Sequence, residues 1–444
     1  MKLLEHQFQP KESLNVEKLK VSPNKHYLLT ESNKPFFYLG ETAWELFHRC
    51  DREEADLLLT DRAAKGFNVI QAVALAEIDG INTPNSYGHK PLVDNDPLKP
   101  VEEYWQHVDW IVKRTNELGM YVGFLPTWGD KWCNEPPIFT LDNARKYGEW
   151  LGKRYKDAGL IWILGGDRGI WKDAQSDVIR AMAEGLRADD GHGHLITFHP
   201  PGNTSSSKYV HCESWLDFHM QQTGHSRDRA SWQFAEFDWD LLPHRPFVNG
   251  EPPYEAHPNN FAGGDQGWLD QADVRRELYW SICGGSAGFT YGCHAIWQMW
   301  QPPRSPINGP RAPWKESLSL PGASQMQHGV RLLNSRPFED REPAGWWAVT
   351  WPHPNGPDAI RTCRGKDGSW AFIYVPNCQK VKVHANAIKA DKIAVSYFNP
   401  RTGETVAGDV VEGGKEHQFQ PPFDPEGRDW VIILDDPSKN YPKP

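Results

Sequence analysis

Ile161-Trp162-Ile163-Leu164-Gly165-Gly166-Asp167 and Pro246-Phe247-Val248-Asn249-Gly250-Glu251-Pro252-Pro253 are short, mostly apolar runs, punctuated by glycine or proline, and each delivers an acid near its end. A run of that length without helical spacing reads as a buried strand. A carboxylate at the end of such a strand is costly to keep unless it is paired or put to work. Six further runs share the texture, at 36–39, 68–74, 121–126, 195–199, 217–221 and 287–291. Between most of them lie amphipathic stretches at 52–65, 101–118, 142–158, 173–188 and 270–283. In the second of these, Tyr104, Trp105, Val108, Ile111, Val112 and Leu118 fall on one helical face. Gly66, Gly119 and Gly159 follow helical stretches, where a left-handed C-cap is wanted. Eight strands with helical crossovers predict a (β/α)8 TIM barrel. The sixth helix, within 226–242, carries the weakest pattern. A doubly wound sheet is the rival, but no Gly-x-Gly-x-x-Gly or P-loop follows the first strand.

After about residue 340 the texture changes. Short strand-like runs at 346–350, 359–363, 369–375, 381–383, 393–398 and 430–434 are separated by turn signals such as Lys366-Asp367-Gly368 and Pro400-Arg401-Thr402-Gly403. The expected organisation is a catalytic barrel with an N-terminal extension over 1–340 and a small antiparallel β-sandwich over 341–444, packed on the barrel.

The chain has 444 residues and a formal charge of −10, which disfavours nucleic acid and anionic membranes as partners. No apolar run approaches the ~18 residues of a membrane span. The N-terminus lacks the apolar core of a secretory signal, so the chain is expected to stay in the cytoplasm or to begin after a removed signal. The seven cysteines are scattered, with no Cys-x-x-Cys pair, and read as mostly free thiols. The 21 tryptophans are unusual in number; core filling is the plain reading of any one of them, and those near strand ends are candidate stacking platforms for sugar rings.

In a barrel enzyme, polar residues at the C-terminal ends of strands face the site. The first strand leads to Glu41 and Trp44; the second carries Gln71, with Glu77 shortly after. The third leads into Trp128, Asp130, Lys131 and Trp132, the fourth into Asp167, the fifth into His199 and the sixth into Gln221. The seventh gives Glu251 and then Tyr254; the eighth gives Tyr291, with Trp297 beyond. Cleaving a glycosidic bond needs one acid to protonate the leaving oxygen and one carboxylate on the other side of the sugar ring. Asp167 fits the acid/base and Glu251 the nucleophile; the other twelve named residues, Glu77 apart, are candidates for binding substrate. The competing structural reading has Asp167 paired with Arg168, Glu251 in a surface ion pair, and Glu41 held by Lys131 or an arginine. His192-Gly193-His194 has metal-ligand spacing, but it precedes the fifth strand and so falls on the stability face of a barrel. With no His-Glu-x-x-His and no Gly-x-Ser-x-Gly, neither a catalytic metal nor a cofactor is expected.

Phe37-Tyr38-Leu39-Gly40-Glu41-Thr42-Ala43-Trp44, Lys65-Gly66-Phe67-Asn68-Val69-Ile70-Gln71, Trp162 to Asp167, and Asn249-Gly250-Glu251-Pro252-Pro253-Tyr254 together resemble the apiosidase-like barrels of glycoside hydrolase family 140. The β-rich tail also resembles that family's second domain. The resemblance places the family's acid/base aspartate on Asp167 and its nucleophilic glutamate on Glu251. It implies a retaining hydrolase cleaving β-D-apiosyl linkages in pectic side chains of the rhamnogalacturonan-II type or in plant glycosides, with an oligosaccharide or polysaccharide as substrate. Two alternatives stand beside it: a retaining glycosidase of the same fold acting on another furanoside or a uronic-acid oligosaccharide, and a non-catalytic carbohydrate-binding barrel.

Overall fold

The computed structural model describes residues 16–188, 193–345, 349–351, 354–426 and 428–444. Eight parallel strands form its centre: β1 (Tyr38–Thr42), β2 (Val69–Val73), β3 (Tyr121–Leu125), β4 (Leu160–Gly165), β5 (Ile196–His199), β6 (His219–Gln222), β7 (Phe247–Glu251) and β8 (Gly288–Tyr291). Every residue of all eight is buried. Strands covered on both faces need no polar alternation, which is why they read as continuous apolar runs.

The strands follow in sequence around the sheet, with β8 paired to β1 through Gly288–Tyr38, Phe289–Leu39, Thr290–Gly40 and Tyr291–Glu41. Between β5 and β6 the ladder is replaced by separate bonds. The Asp217 N–H donates to Ile196 O at 2.9 Å, and Thr197 Oγ1 donates to Phe218 O at 2.7 Å. The far half of β6 is taken by a two-residue antiparallel strand, Thr204–Ser205, which makes the ninth strand of the sheet. The result is the expected (β/α)8 barrel.

The crossover helices start where capping residues direct. Asp51, Thr140 and Asp270 each cap a helix reciprocally with the residue three positions on: Arg52–Ala64, Leu141–Tyr155 and Gln271–Cys283. Gly66 and Gly119 take the left-handed conformation that a C-cap wants. Gly159 does not. There a Cβ would collide with Val16, and the glycine backbone exchanges two bonds with the Asn116 amide at 2.9 and 2.8 Å. The sixth crossover has a regular helix, Trp232–Asp240; it is the fifth that shrinks to a single turn, Ser207–Val210.

An N-terminal sheet of Leu19–Val21, Leu28–Thr30 and Pro35–Phe36 was not anticipated; its first strand lies beside Leu195, Asp217 and Pro246 at the starts of β5, β6 and β7. After residue 340 the described strands form two antiparallel sheets. One has the order Arg341–Pro343, Arg361–Gly365, Trp370–Val375, Trp430–Asp435, Lys392–Phe398, Thr405–Glu412. The other joins Val349–Trp351, Val381–Val383 and His417–Phe419. Part of the strand expected at 346–350 lies outside the described residues. Strand period decides how this part docks. Ala371, Ile373 and Val375 face a core of their own with Val381, Ile432 and Leu434. Trp370, Phe372 and Tyr374, with Val431 and Ile433, join the core of the barrel. The seam also carries a buried two-bond ion pair, Arg275 to Asp429 at 2.8 and 3.0 Å. All seven cysteines are free.

Candidate active site

From the last residue of β4 the chain turns sharply through three successive left-handed residues, Gly165, Gly166 and Asp167 (φ +92°, +95° and +55°). Gly166 has no alternative: a Cβ there would stand 2.7 Å from the Gly129 nitrogen and 2.9 Å from Trp128 Cα. Aspartate tolerates this region better than most residues, yet holding it there costs about 1 kcal/mol or more. The strained turn is fixed by β5. The Asp167 N–H donates to Nδ1 of His199 at 3.0 Å. With Nδ1 accepting, the ring proton sits on Nε2, and Nε2 lies 2.9 Å from Glu251 Oε2. One fully buried imidazole thus touches both acids.

The two carboxyls have opposite surroundings. Burial would raise Glu251, but His199 and, at 3.3 Å from Oε1, His225 outweigh it and hold the carboxyl far below the ordinary range. The Tyr254 hydroxyl also lies against Glu251. Asp167 is shifted the other way, first by burial and then by the charge of Glu251; His199, the Arg168 guanidinium 2.7 Å from Oδ2, and Gln222 offset this only in part. The pairing of Asp167 with Arg168 is therefore real, and it coexists with an upward shift. A third acid, Glu77, shares the space. Burial and the neighbouring charges of Glu45, Asp167 and Glu251 push it up to about 8.

Asp167, Glu251 and Glu77 line one cavity of about 250 Å3 with Trp44, Trp128, Tyr254 and Trp297. That is smaller than the roughly 300–1,000 Å3 of sites for drug-sized ligands, and it suits a single sugar ring. A hollow of about 550 Å3 opens at the other end of the barrel, among Leu19, Lys25 and Arg245; positions on that face serve stability.

Of the residues expected at the site, Asp167, Glu251, Trp44, Trp128, Tyr254 and Trp297 meet in the cavity, with His199 directly behind the acids. Others are engaged elsewhere. Glu41 pairs with Arg62, an arginine as the structural reading had it, and burial lifts its carboxyl to about 7. Tyr291 donates to Glu255 at 2.6 Å. Gln71 donates to Gly250 O at 3.0 Å and so holds the backbone one residue before Glu251. Gln221 donates to Asp238 at 2.7 Å. Lys131 donates to Ala76 O at 2.6 Å and lies 2.9 Å from Asp130, and the Trp132 indole N–H donates to Gly165 O at 2.8 Å, bracing the Asp167 turn. His194 lies 2.8 Å from Ala158 O, and His192 falls outside the described residues. Among the described residues no group of three or more His, Cys, Asp or Glu is placed to hold a metal ion.

The wall also contains residues outside the expected set: Gln222, the neighbour of Gln221 at the end of β6, and His225, His257, Phe261 and Asn308. Gln221 and Gln222 point to opposite faces of β6, the first to Asp238 and the second to the cavity, and a bulge in β7 sets Gln222 opposite Glu251. Gln221 pairs with Asn249 and Gln222 with Glu251, skipping Gly250. The others stand on loops, where no periodicity marks them; His225 follows the left-handed Gly224 two residues beyond β6.

Residues 22–340 match the family model described as "Apiosidase-like, catalytic domain". Residues 352–435 match a second model, described for the collagen-binding domain of a collagenase. Among solved structures, a glycoside hydrolase superposes with a TM-score of 0.88 at 31% identity, covering 96% of this chain and 98% of its own. A glycoside hydrolase family 5 protein from Bacteroides vulgatus ATCC 8482 gives 0.88 at 29% identity, over 96% and 95%. No curated protein matches the chain.

Proposed function

The chain belongs to the apiosidase-like family of glycoside hydrolases, and from that premise we propose that it cleaves terminal or bridging β-D-apiosyl linkages by double displacement. Glu251 attacks the anomeric carbon as the bond to the leaving oxygen breaks, and Asp167 gives its proton to that oxygen. Water then attacks the anomeric carbon, returning a proton to Asp167 and releasing Glu251, so that configuration is retained.

The observation that carries this reading is the split between two acids in one small cavity. Glu251 is kept ionised by two histidines, as a nucleophile must be, while Asp167 is biased towards its protonated form, as a general acid must be. Family likeness supports apiose as the sugar. The test is to incubate wild type and Glu251→Gln with pectic side-chain oligosaccharides and apiose-bearing glycosides, identify the released sugar by chromatography, and read its first-formed anomer by NMR. Free apiose from the wild type alone, first as the β anomer, is the expected result. A different sugar would overturn the substrate; an inverted anomer would overturn double displacement.

A further inference from the structure

Trp171 is 68% exposed, whereas Trp44, Trp128 and Trp297 in the cavity wall are buried. Its indole is nevertheless held in place. The Trp171 backbone N–H donates to Gln175 Oε1 at 2.8 Å. A Cβ on Gly169 would stand 2.6 Å from the ring, so the indole rests on bare glycine backbone. Tyr209 meets it edge-on, with centroids 5.6 Å apart and planes at 90°. The Lys208 ammonium lies over both rings, 5.6 Å from the indole centroid and 5.5 Å from that of Tyr209. An exposed but anchored aromatic beside a cation offers a flat apolar surface with a polar hook, which suits a sugar ring better than a protein core.

Its place in the chain says which ring. Trp171 is on the loop that carries Asp167, and Lys208 and Tyr209 are on the β5–β6 segment that supplies Gly202 to the cavity wall. A general acid must stand beside the leaving oxygen, so this loop borders the leaving group and not the sugar that enters the cavity. Resting on the role of Asp167 given above, we propose that Trp171, Tyr209 and Lys208 form a subsite for a sugar ring of the leaving group, with its C–H face on the indole and an oxygen-bearing edge towards Lys208.

The test compares two substrates with the same cleaved sugar. One is its glycosyl fluoride, whose leaving group has no ring; the other is an oligosaccharide whose leaving group begins with one. Trp171→Ala is expected to raise KM for the oligosaccharide roughly tenfold and to leave the fluoride within about twofold, as loss of one stacking contact would. Trp171→Phe should recover most of that loss, and Gly169→Ala, which displaces the indole, should reproduce it. Equal losses on both substrates, none on either, or a loss on the oligosaccharide that falls on kcat and not on KM, as a disturbed Asp167 would give, would overturn the subsite. Lys208→Met tells what the hook holds: a loss confined to carboxylate-bearing leaving groups supports an acidic sugar, and a loss shared with neutral ones supports a hydroxyl. No change on either would remove Lys208 from the subsite. A wild type that cleaves neither substrate would sink the glycosidase reading itself, and the subsite with it.

Discussion

Replacing His199 should disturb both proposed catalytic acids at once, and differently. In His199→Ala, Glu251 loses the ring nitrogen 2.9 Å from Oε2 and the Asp167 N–H loses its acceptor at 3.0 Å. If this close contact to a buried charge is worth as much as a charged hydrogen bond, about 1.5–3 kcal/mol, and holds the nucleophile in place, kcat/KM should fall roughly 10- to 150-fold. The pH profile gives the sharper signature. His199 is the leading contact keeping the Glu251 carboxyl far below the ordinary range against burial, so its loss should move the acid limb of kcat/KM upwards. A depressed carboxyl stabilises the fold above its unfolded pKa, and that contribution fades as pH falls. The melting-temperature deficit of the variant should therefore shrink in acid. Two conservative variants separate the contacts. His199→Gln can still present a donor towards Glu251 and should return the acid limb; His199→Asn can accept from Asp167 and should not. The assay is kcat/KM against pH with circular dichroism as a check on folding. A folded His199→Ala variant with an unmoved acid limb would refute the claim that His199 holds the group that must be ionised.

Asp167→Ala should lose roughly 100-fold or more in kcat/KM on a substrate with a sugar leaving group yet little kcat/KM on the glycosyl fluoride, whose departure needs no proton, while kcat on the fluoride falls because the water of the second step loses its base; equal loss of kcat/KM on both would remove the acid role. Glu77 is raised to about 8 from the usual 4.5, so its stabilising neutral form is lost as pH rises through that window. Melting curves of Glu77→Gln should accordingly gain on wild type between pH 5 and pH 8, and a constant gap would contradict the burial argument. Arg275→Ala strips Asp429 of its two-bond partner at the seam but leaves Tyr374 and Arg401, each at 3.0 Å. A cost near the lower end of the buried-pair range, about 3 kcal/mol, is expected in urea unfolding; no change in midpoint would mean that the apolar seam alone holds the two parts together.

The barrel was legible because burial on both faces leaves its mark on every strand, and the two acids were legible because each interrupts such a run at its end. What the strand-end rule could not supply was parity. Glu41 and Tyr291 are register partners on β1 and β8, and both turn away from the cavity to where Arg62 sits, against Glu41 and 5.6 Å from the Tyr291 ring. Gln71 turns to the β7 backbone. Placing β1 at 36–39, where the structure has Tyr38–Thr42, obscured that parity from the start. Thr405–Glu412 escaped notice because it is an edge strand exposed along most of its length, without the alternation that marks a half-buried one. His225 and His257 were beyond reach for a different reason: loop residues are placed by the scaffold around them, not by a period of their own.

The same geometry explains why the cavity can hold three acids. Ionised carboxyls crowded into a small desolvated space repel, and each added charge makes the next proton harder to remove. His199 breaks that symmetry. Its Nε2 faces Glu251, while its Nδ1 is spent on the Asp167 backbone and offers that carboxyl no hydrogen bond. The negative charge therefore settles on Glu251. Its field adds to burial in shifting the Asp167 carboxyl upwards, and to burial and the charge of Glu45 in raising Glu77. One buried imidazole thus favours the charged form of one acid, while burial and that charge bias its neighbours the other way. That ordering is what double displacement would need: a charged nucleophile beneath the positive charge developing on the sugar, and a protonated acid beside the departing oxygen.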